Sequence, residues 1–255
     1  MDILVLLKRT FDTEEKIVIE NNRISEEGVE FIINPYDEYA VEEGIKLRET
    51  FGGEVTVICV GPADAEKQIR TAMAMGADKG VLIEDDGEEK DEYAIAHALA
   101  AVIKERSFDI ILGGNVSVDN GAGQVAVRVA ELLDIPQVTT ITKLTVDGQE
   151  ATVERDVEGD VEIIQTTLPA LFTAQQGLND PRYPSLPGIM KAKKKPLERL
   201  SLADLVQSQA SIENKTETLE VFPPPEKAAG RILEGEQEEQ VEELVRLLQT
   251  EAKVI

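Results

Sequence analysis

The sequence predicts an α/β protein: a parallel sheet with helices on both faces, an antiparallel β excursion and an extended C-terminal arm. Three observations predict it. Up to Pro136, short continuous apolar runs alternate with longer segments of helical periodicity, the pattern of parallel strands joined by crossover helices. Those runs do not alternate polar with apolar residues, as suits strands buried on both faces. Beyond Pro136 the period changes to two and turn residues appear, which marks antiparallel hairpins.

Taken in order, "DILVLLK" (residues 2–8) reads as a buried strand. "KIVIE" and "VEFIIN" flank a polar turn at Asn21 and Asn22 and read as an excursion or hairpin. A helix follows in "NPYDEYAVEEGIKLRETFGG". Asn34 suits its N-cap, Pro35 its first position, and Gly52 and Gly53 its stop. "EVTVICV" is a second strand, running into Gly61-Pro62, and "ADAEKQIRTAMAMG" is a helix closed by Gly76. "GVLIE" is a third strand. "DEYAIAHALAAVIKERS" is a third helix, with Ile95, Leu99 and Ile103 four apart. "DIILGG" is a fourth strand, and a helix over residues 122–133 follows it.

After the change of period, "TKLTVDGQEATVERDVEGDVEIIQTTL" turns at Asp147-Gly148 and at Gly159-Asp160. "PALFTA" (residues 169–174) is one more core strand. The stretch "QQGLNDPRYPSLPGIMKAKKKPLERL" (residues 175–200) is too irregular for helix or strand, and it crowds Lys191, Lys193, Lys194 and Lys195 behind a proline-stiffened loop. Those lysines rest on acidic surface of the same chain, steer partners, or form a plain solvated basic turn. "SLADLVQ" is a short helix. From residue 208 to 235 the chain is polar and proline-rich, and it ends in the amphipathic "EEQVEELVRLLQTEA". That tail has too little apolar content for a core of its own, so it is partly disordered or lies against another surface.

Composition narrows the function. A chain of 255 residues supports a sizeable core in one large or two small domains. Fifty acidic against 26 basic residues give a formal charge of −24, which argues against nucleic acid, because phosphate binding needs a concentrated positive field. Cys59 is the one cysteine, so there is no disulfide framework and no thiolate metal site, as in a reducing compartment. "MDILVLLKRT" has too short an apolar run for a signal peptide, and no segment approaches the ~20 apolar residues of a membrane span. The expectation is a cytoplasmic protein without membrane insertion. His97 is the one histidine and lies off the apolar stripe of its helix, which reads as a structural or surface role. With no HExxH, no CxxC and no partner for a nucleophile triad, no catalytic residue and no metal ligand is assigned.

The site is sought where open parallel sheets bind ligands, beyond the carboxyl ends of the strands. "GGNVSVDNGAGQV" holds Gly113, Gly114, Gly121 and Gly123 directly before a helix. Glycines leave backbone N–H groups open and a helix N-terminus adds partial positive charge, so a phosphate is favoured there, with Asp119 and Gln124 as side-chain partners. The pattern is neither GxxxxGK[ST] nor GxGxxG, so a P-loop enzyme is not expected.

"VERDVEGDVEIIQTTLPALFT" followed by "NDPRYPSLPGIMKAKKKP" closely resembles the signature region of electron transfer flavoprotein β subunits. So do "LLKRT", "NPYDEYAVEE", the segment from Gly61-Pro62 to "AEKQIRTAMAMGAD", and the glycine loop. The resemblance covers residues 1–200. It implies a Rossmann-like core over residues 1–200 and a C-terminal arm over 201–255 that packs on an α subunit in a heterodimer. It implies AMP in the core in a structural part, and FAD held mainly by the α subunit. It also implies that electrons arrive from primary dehydrogenases, such as the acyl-CoA dehydrogenases of fatty acid oxidation, and leave through a quinone-reducing acceptor.

The family's AMP contacts carry over to Leu6, to Asn34, Pro35, Tyr36 and Asp37, and to Val60. They continue through Gly114, Asn115, Val116, Ser117, Val118, Asp119, Asn120, Gly121, Ala122, Gly123, Gln124 and Val125. Asn115 stands where the family commonly has lysine and Val116 where it commonly has glutamine. Thr13 and Tyr36 match positions that approach the flavin ring. Residues 175–195 match the family's recognition loop, with Leu186 as the leucine that enters a pocket on the dehydrogenase and Tyr183, Pro184, Pro187 and Ile189 flanking it. Two other readings stay open: a bifurcating form with a second FAD in place of AMP and NADH as reductant, and a stand-alone adenine-nucleotide-binding stress-type protein.

Overall fold

The continuous apolar runs become the middle of a nine-stranded sheet. In the computed structural model, which describes residues 1–85, 87, 90–208, 212–225 and 229–255, the chain divides into two units. The first comprises residues 1–18 and 25–219. Strand β1 (Asp2–Leu6) opens it, and β2 (Arg9–Phe11) lies outside the large sheet. β3 (Ile19–Glu20) and β4 (Arg23–Ile24) belong to the second unit, and β5 (Phe31–Ile33) returns to pair antiparallel with β2. Then come α1 (Pro35–Phe51), β6 (Glu54–Gly61), α2 (Glu66–Met75), β7 (Lys79–Glu84), α3 (Glu92–Lys104), β8 (Ile110–Gly114) and α4 (Val125–Leu133). The long strands β9 (Gln137–Asp147), β10 (Glu150–Val157) and β11 (Asp160–Thr167) form the antiparallel excursion. β12 (Ala170–Ala174), α5 (Leu186–Ala192), β13 (Leu197–Ser201) and α6 (Leu202–Ser208) complete the unit.

The strand order is β11-β10-β9-β12-β8-β1-β6-β7-β13, with parallel pairing from β9 through β12 to β13. The chain lays β1, β6 and β7 in one direction and then crosses to the other side of β1 for β8, so the sheet has its switch point at β1. Period-two geometry sends Ile3, Val5 and Leu7 to one face and Leu4 and Leu6 to the other, and both faces are buried. α1 and α2 cover the first face through Ile45, Ile69 and Met73. α3 and α4 cover the second through Leu99, Ile103 and Val129, joined by Leu202 and Ile212. No helix of the described residues is long and apolar enough to cross a membrane.

Four local readings change. The expected hairpin resolves into two pairings: β3 turns back on β4 through Asn21 and Asn22, at φ 51° and 61°, while "VEFIIN" supplies β5 for β2. Asparagine tolerates that left-handed region better than most residues. The helix expected over residues 122–133 begins only at Val125, because Gly121 and Gly123 take φ of 65° and 61° and hold the chain out of helix. The stretch over residues 175–200 is not wholly irregular. It contains α5, entered by Ser185, whose hydroxyl accepts from Gly188 N at 3.1 Å, and it ends in edge strand β13. Asn34 occupies the N-cap position of α1, but its side chain makes no capping bond and is turned to the glycine loop.

The second unit comprises residues 19–24 and 220–255. Within it, Val221 N donates to Asn22 Oδ1 at 2.7 Å. α7 (Gln237–Leu247) carries a reciprocal capping box between Glu236 and Glu239 and runs into a π-helical turn (Leu248–Ala252). None of the residues of α7 is buried, and Val241, Leu244 and Val245 are exposed.

Candidate functional site

At the carboxyl ends of β1, β6 and β8 lies a cleft of about 210 Å³. It falls at the switch point, where neighbouring crossovers diverge and leave a crevice. The loop from Gly114 to Gln124 forms one wall and delivers the chain into α4. α4 has no side-chain cap at its N-terminus and no acidic residue in its first turn. Its first N–H groups lack intrahelical acceptors by construction of the helix, and they add their partial charge to the helix dipole. An anion is favoured there. Leu6, Ile58, Val60, Ile95, Leu99 and Val125 give the cleft an apolar side.

The wall is held by one buried carboxylate. Asp37 Oδ2 accepts from Lys8 N at 2.7 Å, and Oδ1 accepts from Gly114 N at 2.9 Å and from Asn34 Nδ2 at 3.0 Å. The carboxylate therefore stitches the ends of β1 and β8 to the start of α1. Asn34 extends the stitch, since its Nδ2 donates to Val116 O at 2.9 Å and its Oδ1 accepts from Val118 N at 3.2 Å. The approach is so close that a Cβ on Gly114 would sit 2.3 Å from Asp37 Oδ1. Burial pushes the Asp37 carboxyl up to about 7, against the pull of the Lys8, Asn34 and Gly114 donors and of the Lys8 charge.

Across the mouth, Lys8 Nζ pairs with Asp119 at 2.7 Å and donates to Ser117 Oγ at 3.1 Å. Burial raises the Asp119 carboxyl, but the Lys8 ammonium, the Ser117 hydroxyl and Asn120 N outweigh it and hold the group below its ordinary value. Asn120 Nδ2 donates to Glu92 Oε1 at 3.0 Å and ties the loop to the start of α3.

Of the residues carried over from the sequence, Leu6, Asn34, Asp37 and Val60 line the cleft, together with 114–117, Asn120 and 122–125. Pro35, Tyr36, Val118, Asp119 and Gly121 do not. Val118 and Asp119 act on its shape through Asn34 and Lys8. Thr13 is exposed in the turn after β2, away from the cleft lining. Sequence reasoning missed Lys8, Ile58, Glu92, Ile95 and Leu99 as lining residues. Lys8 had a signal, since it directly follows the apolar run of β1, and Ile95 and Leu99 were already visible as one helix stripe.

His97 stacks on Tyr93 with ring centroids 4.0 Å apart, and its Nδ1 lies 2.9 Å from Tyr93 O. Cys59 is buried, and burial pushes its thiol up to about 12, so it is inert. Among the described residues no group of three or more His, Cys, Asp or Glu side chains could hold a metal ion. In the 175–195 loop, Tyr183, Leu186, Pro187 and Ile189 are exposed and Pro184 is half-buried. Lys195 rests on carbonyls: its Nζ donates to Met73 O at 2.9 Å and Ala77 O at 2.6 Å, closing the end of α2.

The sheet, its switch point and the uncapped helix behind the glycine loop define a Rossmann-like α/β protein with a cleft at the carboxyl ends of its strands. A family model described as the electron transfer flavoprotein domain matches residues 22–205. The electron transfer flavoprotein subunit beta of Bacillus subtilis is 62% identical over the whole of both chains. That of Syntrophomonas wolfei is 42% identical over all of this chain and 98% of its own, and the human one is 36% identical over 89% and 91%. The chain belongs to the electron transfer flavoprotein β-subunit family.

Proposed function

We propose that the chain works as the β subunit of a heterodimeric electron transfer flavoprotein in the cytoplasm, with AMP in its own cleft and FAD held mainly by an α subunit. The observation that carries the reading is the cleft itself. The first turn of α4 and the loop residues Asn115, Ser117 and Gln124 would hold the phosphate, and the apolar side formed by Leu6, Ile58, Val60 and Leu99 would take the adenine.

The flavin supplies the redox chemistry when bound, and the chain supplies positioning. Thr13 and Tyr36 are proposed to face the flavin. The exposed Val241, Leu244 and Val245 of α7 suit an arm that packs on the α subunit. The exposed apolar residues of the 175–195 loop suit docking of primary dehydrogenases such as acyl-CoA dehydrogenases, with electrons passing on to a quinone-reducing acceptor. Co-expression with the α chain from the same genome tests the reading. A yellow heterodimer is expected, whereas a flavin-free homo-oligomer that takes up ATP would overturn it.

A further inference from the structure

Resting on the reading of residues 175–195 as a docking loop, the question is what holds that loop in shape. α1 buries two glutamates, Glu42 at 5% and Glu43 at 4% exposure, although carboxylates stay outside unless paired. Glu42 is partnered by the loop, and Glu43 by Asn179 of the loop together with Lys46 of its own helix. Arg182 Nε and Nη2 lie 2.8 and 3.0 Å from the two oxygens of Glu42. Arg182 Nη1 and Nη2 lie 2.7 and 3.1 Å from the two oxygens of Glu49. The Arg182 backbone N–H also donates to Glu42 Oε2 at 3.2 Å. One turn along, Asn179 Nδ2 donates to Tyr39 O at 3.0 Å and to Glu43 Oε2 at 2.9 Å. A planar guanidinium gripped by two carboxylates two turns apart on one helix has its orientation fixed.

The far end of the loop is fastened to a different helix. Arg70 of α2 donates to Ala192 O at 2.7 Å and to Lys195 O at 2.8 Å. α5 lies so near α2 that a Cβ on Gly188 would come within 2.4 Å of Ala74 O. Between these fastenings, apolar side chains project into solvent: Tyr183 at 94%, Leu186 at 80% and Met190 at 72% exposure. Leu186 and Met190 are four apart on α5 and share a face.

We infer that Arg182 is a positioning residue for partner docking: gripped by Glu42 and Glu49, it fixes the backbone from which Tyr183, Leu186 and Met190 project. The occupant is the apolar pocket of a primary dehydrogenase. A finger ordered before contact loses less conformational entropy on binding, at about 0.5–1.5 kcal/mol for each side chain that need not be immobilised. Met190 adds a soft, adaptable contact suited to more than one partner surface.

The test uses the αβ complex, an acyl-CoA dehydrogenase as the varied reductant, and amide exchange over residues 183–192. Arg182→Ala should raise KM for the dehydrogenase about 3- to 10-fold, more than kcat falls. It should also quicken exchange over the loop about tenfold. Arg182→Lys should recover part of both. Leu186→Ala should raise KM without changing exchange, FAD content or assembly. The double variant should be worse than Leu186→Ala alone but by clearly less than the product of the two single effects, because one of the three side chains that Arg182 positions is then already gone. If Leu186→Ala raises KM while Arg182→Ala changes neither KM nor exchange, docking stands and the clamp is refuted. If the two effects multiply, Arg182 touches the partner itself and the positioning role is refuted. If neither variant changes KM, the docking reading fails and takes the clamp with it. Should Arg182→Ala not fold, Glu49→Gln weakens the exposed half of the clamp and is read the same way.

Discussion

Replacing Asp37 by asparagine isolates the carboxylate that sets the cleft wall. The side chain is buried and takes three donors, from Lys8 N, Gly114 N and Asn34 Nδ2. A carboxamide has one acceptor oxygen, so its NH₂ must face at least one of those N–H groups, and a buried donor left without an acceptor costs about 1–3 kcal/mol. Titration adds a second, pH-dependent difference. In the unfolded chain the carboxyl ionises near 3.8, whereas burial keeps the proton on up to about 7 in the native protein. Between those values the native state binds more protons than the unfolded state, so native stability falls as pH rises. The fall is about 1.4 kcal/mol per pH unit, about 4 kcal/mol over the interval, and nothing further is lost above it. Asparagine does not titrate. Urea unfolding of both proteins from pH 5 to pH 8 should therefore show the wild type losing its advantage by about 2–3 kcal/mol over that range. A stability difference that does not change with pH would refute the buried, proton-holding carboxyl.

Three further outcomes are expected. Gly114→Ala forces a methyl against Asp37 Oδ1 and Asp37 N, 2.3 and 2.9 Å from the Cβ position, and should cost about 1–3 kcal/mol in unfolding experiments while weakening AMP retention. Lys8→Ala leaves Asp119 without its ammonium at the cleft mouth, so calorimetric AMP affinity of the complex should drop about tenfold, and by less in high salt. Lys195→Met removes the cation that closes α2 and should lower stability by about 0.3–1 kcal/mol, measured as a fall in Tm with nucleotide content unchanged.

The strands of the sheet centre were legible because burial on both faces leaves a continuous apolar run, as in "DILVL" and "ALFTA". β13, "LERLS", was not, because an edge strand paired on one side only need not be apolar throughout. α5 hid among prolines, although Ser185 followed by Pro187 is itself a helix start. The glycine loop was legible as a wall of the strand-end cleft from its four glycines. What that reading could not supply was the tertiary part. Asp37 and Asn34 looked like a helix start and proved to be the fastening of a loop some 80 residues on, and Lys8 looked like the end of a strand. The two glutamates that grip Arg182, buried Glu42 and exposed Glu49, are separated from it by 140 and 133 positions, a pairing that no local pattern announces.

The central claim is that this chain clamps one mononucleotide and leaves electron transfer to a flavin held by its partner. The most direct test is to denature the purified αβ complex and identify and quantify the nucleotides released. One FAD and one AMP per heterodimer is the predicted result. Two FAD molecules, or FAD with no AMP, would contradict it.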